Sequence, residues 1–224
     1  MFPYFGSKGR LAHLYPAPTR GRVFEPFAGS ARYSLLYRDR EVWINDLDPL
    51  VYRIWKYIQQ ATRKDIESLP ILRVGERLDQ KKFRWLSDVE RDLVGYSLGY
   101  SLTSPRTTCS EWTHTKDRCR LLKRRLLENH EYVRDWTITN LHYADLPDDD
   151  GTWFIDPPYR HAKARYRYHC VADYDRLGAW CRSRRGQVIV CEGDGADWLP
   201  FRPFAEQQVV TGKLYKEVIW TGPE

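Results

Sequence analysis

The feature that most constrains the fold is an alternation of short apolar segments with amphipathic ones. Residues 22–27 and 41–45 are short apolar runs that end in turn-forming residues, a pattern typical of buried strands. Residues 31–38 and 49–60 follow them. The second of these segments has apolar side chains at helical spacing behind Pro49, an amino acid favoured in the first turn of a helix. Strands and helices in this order predict an α/β fold.

A different pattern begins after residue 68. Ser87 and Glu90 have the spacing of a capping box, which predicts a helix that extends to about Leu102. A loop is expected at residues 104–108, followed by a basic helix at residues 116–129. We therefore expect residues 69–132 to form a mainly helical insert within a domain built from residues 1–68 and 133–224.

The second part of that domain again alternates between strands and a helix. Five further strands are predicted, at residues 137–142, 152–155, 187–191, 205–210 and 217–220. A helix is predicted at residues 174–184. Gly212 lies between the last two strands, and a glycine turn between neighbouring strands is typical of an antiparallel hairpin. We expect this hairpin at one edge of the sheet.

The amino-acid composition indicates which binding partners and which cellular compartment to expect for this protein. The chain of 224 residues has a net charge of +6, which favours an anionic partner such as nucleic acid. Its five cysteines form no C-x-x-C pair, so neither a metal site nor a disulfide framework is expected. The sequence contains no apolar run of transmembrane length and no secretory signal. We therefore expect a soluble protein in the cytoplasm.

The tetrapeptide Asp156-Pro157-Pro158-Tyr159 directly follows the predicted strand that ends at Ile155. The amine of a nucleobase is a poor nucleophile, because its lone pair is delocalised into the ring. A carboxylate from Asp156 and a carbonyl from Pro157, stiffened by consecutive prolines, suit hydrogen bonds that expose this lone pair. Tyr159 offers a ring face for a base that has left the helix stack. The same four residues also suit an ordinary turn at the end of a strand.

Three other short segments lie where a cofactor binds an α/β sheet. Ala28, Gly29 and Ser30 follow the first strand, and small residues let a ligand approach the backbone closely. Asp46 ends the second strand, where an acidic side chain accepts hydrogen bonds from ribose hydroxyls. Lys8 follows a Gly-Ser turn and suits contact with a carboxylate of a cofactor. Each segment also has a purely structural explanation. The turn at Gly29 suits a plain strand-to-helix connection, Asp46 suits a helix cap, and Lys8 suits a solvated surface charge.

Taken in order, these motifs resemble those of the Dam-like adenine-specific DNA methyltransferases of phages and bacteria. The motifs are Tyr-x-Gly-Ser-Lys from Tyr4, Glu-Pro-Phe-Ala-Gly-Ser from Glu25, Asn-Asp-Leu-Asp from Asn45, Tyr-Ala-Asp from Tyr143 and Asp-Pro-Pro-Tyr from Asp156. The resemblance implies a methyltransferase fold with a mostly parallel seven-stranded sheet. It also implies a target-recognition region before Asp-Pro-Pro-Tyr, where residues 69–132 lie. Ala31 departs from the family pattern, which often has a second glycine there.

The resemblance further implies a methyl donor, a substrate and a set of site residues. The donor is S-adenosylmethionine, and the substrate is an adenine of double-stranded DNA that is flipped out and methylated at N6. The cofactor-binding residues implied are Tyr4, Lys8, Phe27, Gly29, Asp46, Tyr143, Asp145 and Asp156. The catalytic residues implied are Asp156, Pro157, Pro158 and Tyr159.

Two basic stretches suit the phosphates of DNA, with a solvated surface as the alternative reading of each. One stretch lies in the insert and the other follows the Asp-Pro-Pro-Tyr motif. The predicted DNA-binding residues are Arg106, Lys116, Arg120, Lys123, Arg124, Arg160, Lys163, Arg165 and Arg167. Neither the recognition sequence nor the oligomeric state follows from these residues.

Three alternative functions remain open from the sequence. Cytosine N4 is also an exocyclic amine and suits the same pocket, although cytosine-N4 enzymes more often have serine at the position of Asp156. A DNA-binding protein that retains the fold without catalysis is the second alternative. Methylation of RNA or protein is the third.

Overall fold

The computed structural model describes residues 1–99, 102–161, 168, 171, 173–208 and 214–222. These residues form an α/β fold around a seven-stranded sheet, as predicted. The strands are β1 (Arg22–Glu25), β2 (Glu41–Asn45), β3 (Thr137–Thr139), β4 (Gly151–Ile155), β5 (Gly186–Gly193), β6 (Arg202–Gln208) and β7 (Leu214–Thr221). The helices are α1 (Arg32–Leu36), α2 (Pro49–Gln60), α3 (Arg63–Ser68), α4 (Asp88–Ser97), α5 (Glu111–Thr115), α6 (Arg118–Leu127), α7 (His130–Val133) and α8 (Tyr174–Arg182).

The strand order places a topological switch between β1 and β4. The sheet runs β3-β2-β1-β4-β5-β7-β6, so the chain moves outward from β1 to β3 and then returns to the other side of β1. β1 to β5 pair in parallel, whereas β7 is antiparallel to both β5 and β6. The connections that follow β1 and β4 therefore lead to opposite sides. Such sheets bind ligands in the crevice that this divergence opens at their carboxyl edge.

Apolar clusters cover both faces of the sheet, because successive side chains of a strand point to opposite sides. In β4, Phe154 belongs to one cluster, whereas Trp153 and Ile155 belong to the other. Trp55 of α2 packs in the first cluster and Leu177 of α8 packs in the second. The continuously apolar sequence of β4 is thus explained by its burial on two sides.

The predicted insert is largely helical and packs onto the sheet domain. Val94 of α4 and Leu122 of α6 share an apolar cluster with Ile54 of α2. The capping box at Ser87 is present, but α4 ends at Ser97 and not near Leu102. It ends early because the carbonyl of Gly95 accepts hydrogen bonds from the N–H groups of residues 98 and 106, which closes the last turn. The division of the chain at residues 68 and 132 stays a prediction.

The basic helix predicted at residues 116–129 was wrong in its extent. α5 ends at Thr115, and α6 begins only at Arg118. Asp117 between them has a φ of 48° and a ψ of 41°, which is the left-handed region. Aspartate tolerates this conformation better than most residues, and one such residue interrupts a right-handed helix.

Several strands differ from their predicted bounds by a few residues at the ends, β3 and β6 among them. β3 stops at Thr139, because the next side chain turns back toward β2. The side-chain amide of Asn140 donates to the carbonyls of Asp46 and Leu47 at 2.7 and 3.0 Å. β6 begins at Arg202, three residues before the predicted start. The predicted antiparallel pairing of β6 with β7 is confirmed, while its turn at Gly212 lies outside the described residues.

Cys109, Cys119, Cys181 and Cys191 are free and buried, while Cys170 lies outside the described residues. Within the described part of the chain, no helix is both long and apolar enough to cross a bilayer.

Candidate active site

The predicted site residues lie at the carboxyl edge of the sheet, in the connections that follow four neighbouring strands. Gly29 follows β1, Asp46 follows β2, Tyr143 follows β3 and Asp156 follows β4. Because β1 and β4 flank the topological switch, these connections surround its crevice. The contacts among them form two groups, one around Asp46 and one around Asp156.

Asp46 joins the connections that follow β1 and β2. Its Oδ2 accepts a hydrogen bond from the backbone N–H of Gly29 at 2.8 Å, and its Oδ1 accepts one from Asp48 at 2.9 Å. Burial raises the pKa of Asp46 to about 6, although these two hydrogen bonds oppose the rise. Each carboxylate oxygen has a further lone pair, so the backbone holds this acceptor in place without exhausting it.

The turn after β1 has a backbone that favours glycine. Gly29 has a φ of +45°, and a Cβ there would lie 2.8 Å from Cδ1 of Tyr4. The indole N–H of Trp55 donates to the carbonyl of Gly29 at 2.9 Å. Ala31 also has a positive φ, of 46°, a conformation in which alanine is disfavoured.

Aromatic side chains line the neighbouring connection after β3. The ring centroids of Phe27 and Tyr143 lie 5.7 Å apart. Tyr143 also packs edge-on against Trp180 of α8, with centroids 5.2 Å apart. Asp145 is exposed at the end of the 3-10 helix Tyr143–Asp145. Phe27 and Tyr143 therefore form one aromatic surface beside the Asp46 group.

Lys8 and Asp156 form a largely buried ion pair, with side chains 8% and 18% exposed. Nζ of Lys8 lies 2.7 Å from Oδ1 of Asp156 and 3.4 Å from Oε1 of Glu217. It also lies over the ring of Tyr159, 4.7 Å from the centroid. The side chains of Lys8 and Glu217 are only 8% and 3% exposed, so their interaction is weakly screened by water. The sequence predicts that Lys8 contacts the carboxylate of a cofactor. In the structure, Lys8 instead pairs with two carboxylates of the protein itself, those of Asp156 and Glu217.

The loop after β4 is anchored by side chains from two other elements. The hydroxyl of Tyr159 donates to Oε1 of Glu217 in β7 at 2.8 Å. The hydroxyl of Tyr174, the first residue of α8, donates to the carbonyl of Pro158 at 2.6 Å. Pro157 and Pro158 are both buried. These contacts fix the Asp-Pro-Pro-Tyr loop in one arrangement, which is what electrostatic preorganisation requires.

Burial and the neighbouring charges have opposing effects on the pKa values of Asp156 and Lys8. Burial raises the pKa of Asp156 to about 6, while Lys8 opposes the rise and Glu217 adds to it. Burial by itself lowers the pKa of Lys8, but the negative charges of Asp156 and Glu217 outweigh it and raise that pKa above its ordinary value. Lys8 is therefore a permanent cation. Asp156 is ionised at neutral pH and has a pKa suited to proton transfer.

The sequence analysis assigned no role to three buried glutamates. Glu25 accepts hydrogen bonds from the N–H and the hydroxyl of Ser34. Glu192 accepts one from the backbone N–H of Arg160 at 3.1 Å, and Glu217 accepts one from the hydroxyl of Tyr159. Glu25 ends β1, whereas Glu192 and Glu217 lie within β5 and β7, and each has apolar strand residues beside it. That signal was available, because a charged residue in a buried strand needs a partner.

The predicted DNA-binding residues fall into three structural situations. The exposed ones are Arg106, Lys116, Arg120, Arg124 and Arg160. Lys123 donates to the carbonyls of Glu67 and Leu69 at 2.6 and 3.0 Å, and Arg160 forms an ion pair with Asp197. Those outside the described residues are Lys163, Arg165 and Arg167.

The fold and the comparison with known families agree. A mostly parallel sheet that ends in an antiparallel pair, with an acidic loop at its switch point, defines an α/β methyltransferase fold. The family model of D12 class N6 adenine-specific DNA methyltransferases matches residues 4–177, more than three quarters of the chain. The chain belongs to this family, which confirms the resemblance and makes it a DNA methyltransferase. Its family uses S-adenosylmethionine as methyl donor. Comparison of the sequence with curated proteins gave no match.

Proposed function

We propose that this protein transfers a methyl group from S-adenosylmethionine to N6 of an adenine that is flipped out of double-stranded DNA into the Asp156–Tyr159 loop. The observation that carries the proposal is the buried contact of Asp156 with Lys8 beside Tyr159, at the switch point of the sheet. It combines a hydrogen-bond acceptor of raised pKa with an aromatic ring, the two groups that a flipped base with an amine needs.

The residues at the carboxyl edge fit S-adenosylmethionine in shape and charge. Gly29 brings backbone close to Tyr4, where a Cβ finds no room, and Asp46 offers a fixed acceptor for hydroxyl groups. One ammonium and two carboxylates, from Lys8, Asp156 and Glu217, leave a negative charge that suits a sulfonium. The bound cofactor supplies an electrophilic methyl group. The residues proposed to hold it are Tyr4, Lys8, Phe27, Gly29, Asp46, Tyr143, Asp145 and Asp156.

The protein side of the reaction is assigned to Asp156, Pro157 and Tyr159. The Asp156 carboxylate and the Pro157 carbonyl accept hydrogen bonds from the two N–H groups of the target amine, which frees its lone pair for the methyl carbon. The ring of Tyr159 stacks on the base. The amine has to lose one proton once it carries the methyl group. Asp156, with a pKa of about 6, is a suitable acceptor for that proton.

Contacts with the DNA backbone are assigned to exposed cations of the insert. Arg120 and Arg124 lie on α6, and Arg106 and Lys116 lie in the connections before it. Their carboxylate neighbours are themselves exposed, as in the pair of Arg120 with Asp117 at 3.5 Å. Such pairs contribute little to stability, so phosphates can replace the carboxylates at low cost. Lys163, Arg165 and Arg167 complete the proposed set, together with Lys123 and Arg160.

A product assay tests the proposed function. The purified protein is incubated with tritiated S-adenosylmethionine and duplex DNA, and the nucleosides are separated after digestion. We expect the label in N6-methyladenine. Label in N4-methylcytosine alone would establish the cytosine alternative, and confirmed cofactor binding without any transfer would establish a DNA-binding protein without catalysis. RNA and protein substrates run in parallel test the third alternative.

A further inference from the structure

We propose that Glu217 is a positioning residue for methyl transfer, which holds Lys8 and Tyr159 in place around Asp156. The inference rests on the proposed function, in which Asp156 accepts a hydrogen bond from the target amine. Glu217 lies beyond residues 4–177, the part matched by the family model. It is the only one of these four residues that the sequence motifs do not include.

The direction of β7 explains how a residue so late in the chain reaches the site. β7 is antiparallel to β5, and Glu217 pairs with Gly193, the last residue of β5. The first half of β7 therefore lies at the carboxyl end of β5. That is the same edge of the sheet at which Asp156 follows β4, the parallel neighbour of β5.

One oxygen of Glu217 receives three donors. Its Oε1 accepts hydrogen bonds from the hydroxyl groups of Tyr15 and Tyr159, the latter at 2.8 Å, and lies 3.4 Å from Nζ of Lys8. The side chain is 3% exposed, so these groups take the place of water around the carboxylate. Tyr15 precedes β1, and Tyr159 follows β4. Glu217 thus connects three separate parts of the chain at one point.

This arrangement bears directly on how Asp156 can work. Lys8 approaches Asp156 to 2.7 Å, so its ammonium occupies part of the carboxylate that the target amine must reach. Glu217 is a second anionic partner for Lys8. Lys8 therefore remains in an ion pair when an oxygen of Asp156 accepts a hydrogen bond from the base. The bond from Tyr159 to Glu217 fixes the ring that stacks on that base. Both effects act through other residues, which defines a positioning role.

Glu217 also sets the charge around Asp156, and this gives a specific signature. The Glu217 charge adds to the effect of burial in raising the pKa of Asp156, whereas Lys8 opposes it. Removal of that charge should lower the pKa of Asp156. The other titratable groups that face this cluster are Tyr15, Glu25 of β1, Tyr159, Cys191 of β5 and Tyr215 of β7.

The test compares Glu217→Gln with Glu206→Gln. Glu206 lies on the neighbouring strand β6, is 58% exposed and pairs only loosely with Lys216 at 3.8 Å, so it is a matched control. For Glu217→Gln we expect kcat at neutral pH to fall about tenfold, as for the loss of one charge-assisted hydrogen bond. The acid limb of its pH profile should move to lower pH. Glu206→Gln should behave as wild type in both respects.

A carboxyl-carbon NMR titration of Asp156 in the protein without cofactor provides a readout that does not depend on turnover. Its midpoint should fall in Glu217→Gln and stay unchanged in Glu206→Gln. A wild-type rate together with a wild-type midpoint in Glu217→Gln would overturn the inference. If Glu217→Gln does not fold, Glu217→Asp retains the charge, and it should lower kcat without moving the acid limb; an unchanged kcat there overturns it as well. Absence of methyl transfer by wild type and Glu206→Gln alike would instead refute the proposed function.

Discussion

Lys8 and Asp156 are 148 positions apart in the chain, yet their side chains form a 2.7 Å ion pair at the carboxyl end of β4. The first residues of the chain therefore pack against the Asp156–Tyr159 loop. Breaking one half of such a buried pair leaves an uncompensated charge, which is more harmful than never having the pair.

The rate of methylation should depend on the ionisation of Asp156. Burial raises its pKa to about 6, and the carboxylate is the form that accepts from the amine. We expect kcat/KM to rise with pH between about 5 and 7, with its midpoint near the pKa of this group. Asp156→Asn should be inactive at every pH and bind DNA as tightly as wild type in a filter-binding assay. Asp39→Asn, at an exposed position, is the control; substantial activity of Asp156→Asn would remove Asp156 from the mechanism.

Asp46→Ala should weaken the binding of S-adenosylmethionine. Two ribose hydroxyls lose a charged acceptor, and each such hydrogen bond contributes roughly 1.5–3 kcal/mol. The variant also loses the bonds that Asp46 accepts from Gly29 and Asp48, so its folding must be checked by circular dichroism. Calorimetry measures the affinity, with Asp39→Ala as control. Equal affinity of the folded variant and wild type would exclude Asp46 from the cofactor site.

Gly29→Ala separates backbone strain from contact with Tyr4. Gly29 and Gly75 both have a positive φ, but a Cβ at Gly29 would lie 2.8 Å from the Tyr4 ring, whereas a Cβ at Gly75 meets nothing within 4 Å. Both alanine variants should unfold at a lower temperature, because alanine is disfavoured in this conformation. Only Gly29→Ala should also lose cofactor affinity. If both variants bind the cofactor equally well, the approach of Tyr4 to Gly29 has no role in binding.

Cations on α6 should divide into those that bind DNA and those that support the fold. Arg120 and Arg124 are exposed, whereas Lys123 donates to two carbonyls around the end of α3. The double variant Arg120→Ala, Arg124→Ala should bind DNA with a reduced salt dependence, its slope falling by about 0.9 per lost phosphate contact. Lys123→Ala should lower the unfolding temperature with a smaller change in slope. An unchanged slope in the double variant would show that this face of α6 is simply solvated.

Glu25→Gln should stabilise the protein in a pH-dependent way. Burial raises the pKa of Glu25 to about 8 from an ordinary value of 4.5, although hydrogen bonds from Ser34 oppose this. A carboxyl group with a raised pKa in the folded state contributes stability below 4.5 that is lost as the pH rises toward 8. Glutamine has no proton to lose, and its amide oxygen can accept the Ser34 bonds.

The unfolding temperature of Glu25→Gln relative to wild type should therefore increase from pH 4.5 to pH 8. Thermal unfolding followed by circular dichroism at several pH values measures this difference. Glu67→Gln, at a position 50% exposed, should show no comparable trend. A constant difference between Glu25→Gln and wild type across the range would contradict the raised pKa.

Much of the site was predictable because its residues are local to strand ends. Gly29, Asp46 and Asp156 each follow a short apolar run, and a parallel sheet brings the ends of such runs to one edge. The same local reading failed at Asp117, where one left-handed residue divides a segment of uniform helical composition. It also passed over Glu217, because a single glutamate in a strand sequence does not reveal which face or which edge it will occupy.

The sequence by itself determined the fold class and the family, since these depend on periodicity and on short runs of residues, and it predicted where the cofactor and catalytic motifs lie. Only the tertiary structure decided which distant side chains meet. The antiparallel direction of β7 puts Glu217 at the same edge as Asp156, and closure of the first residues over that edge brings in Lys8. Such pairings depend on strand order and direction, which local sequence patterns do not encode.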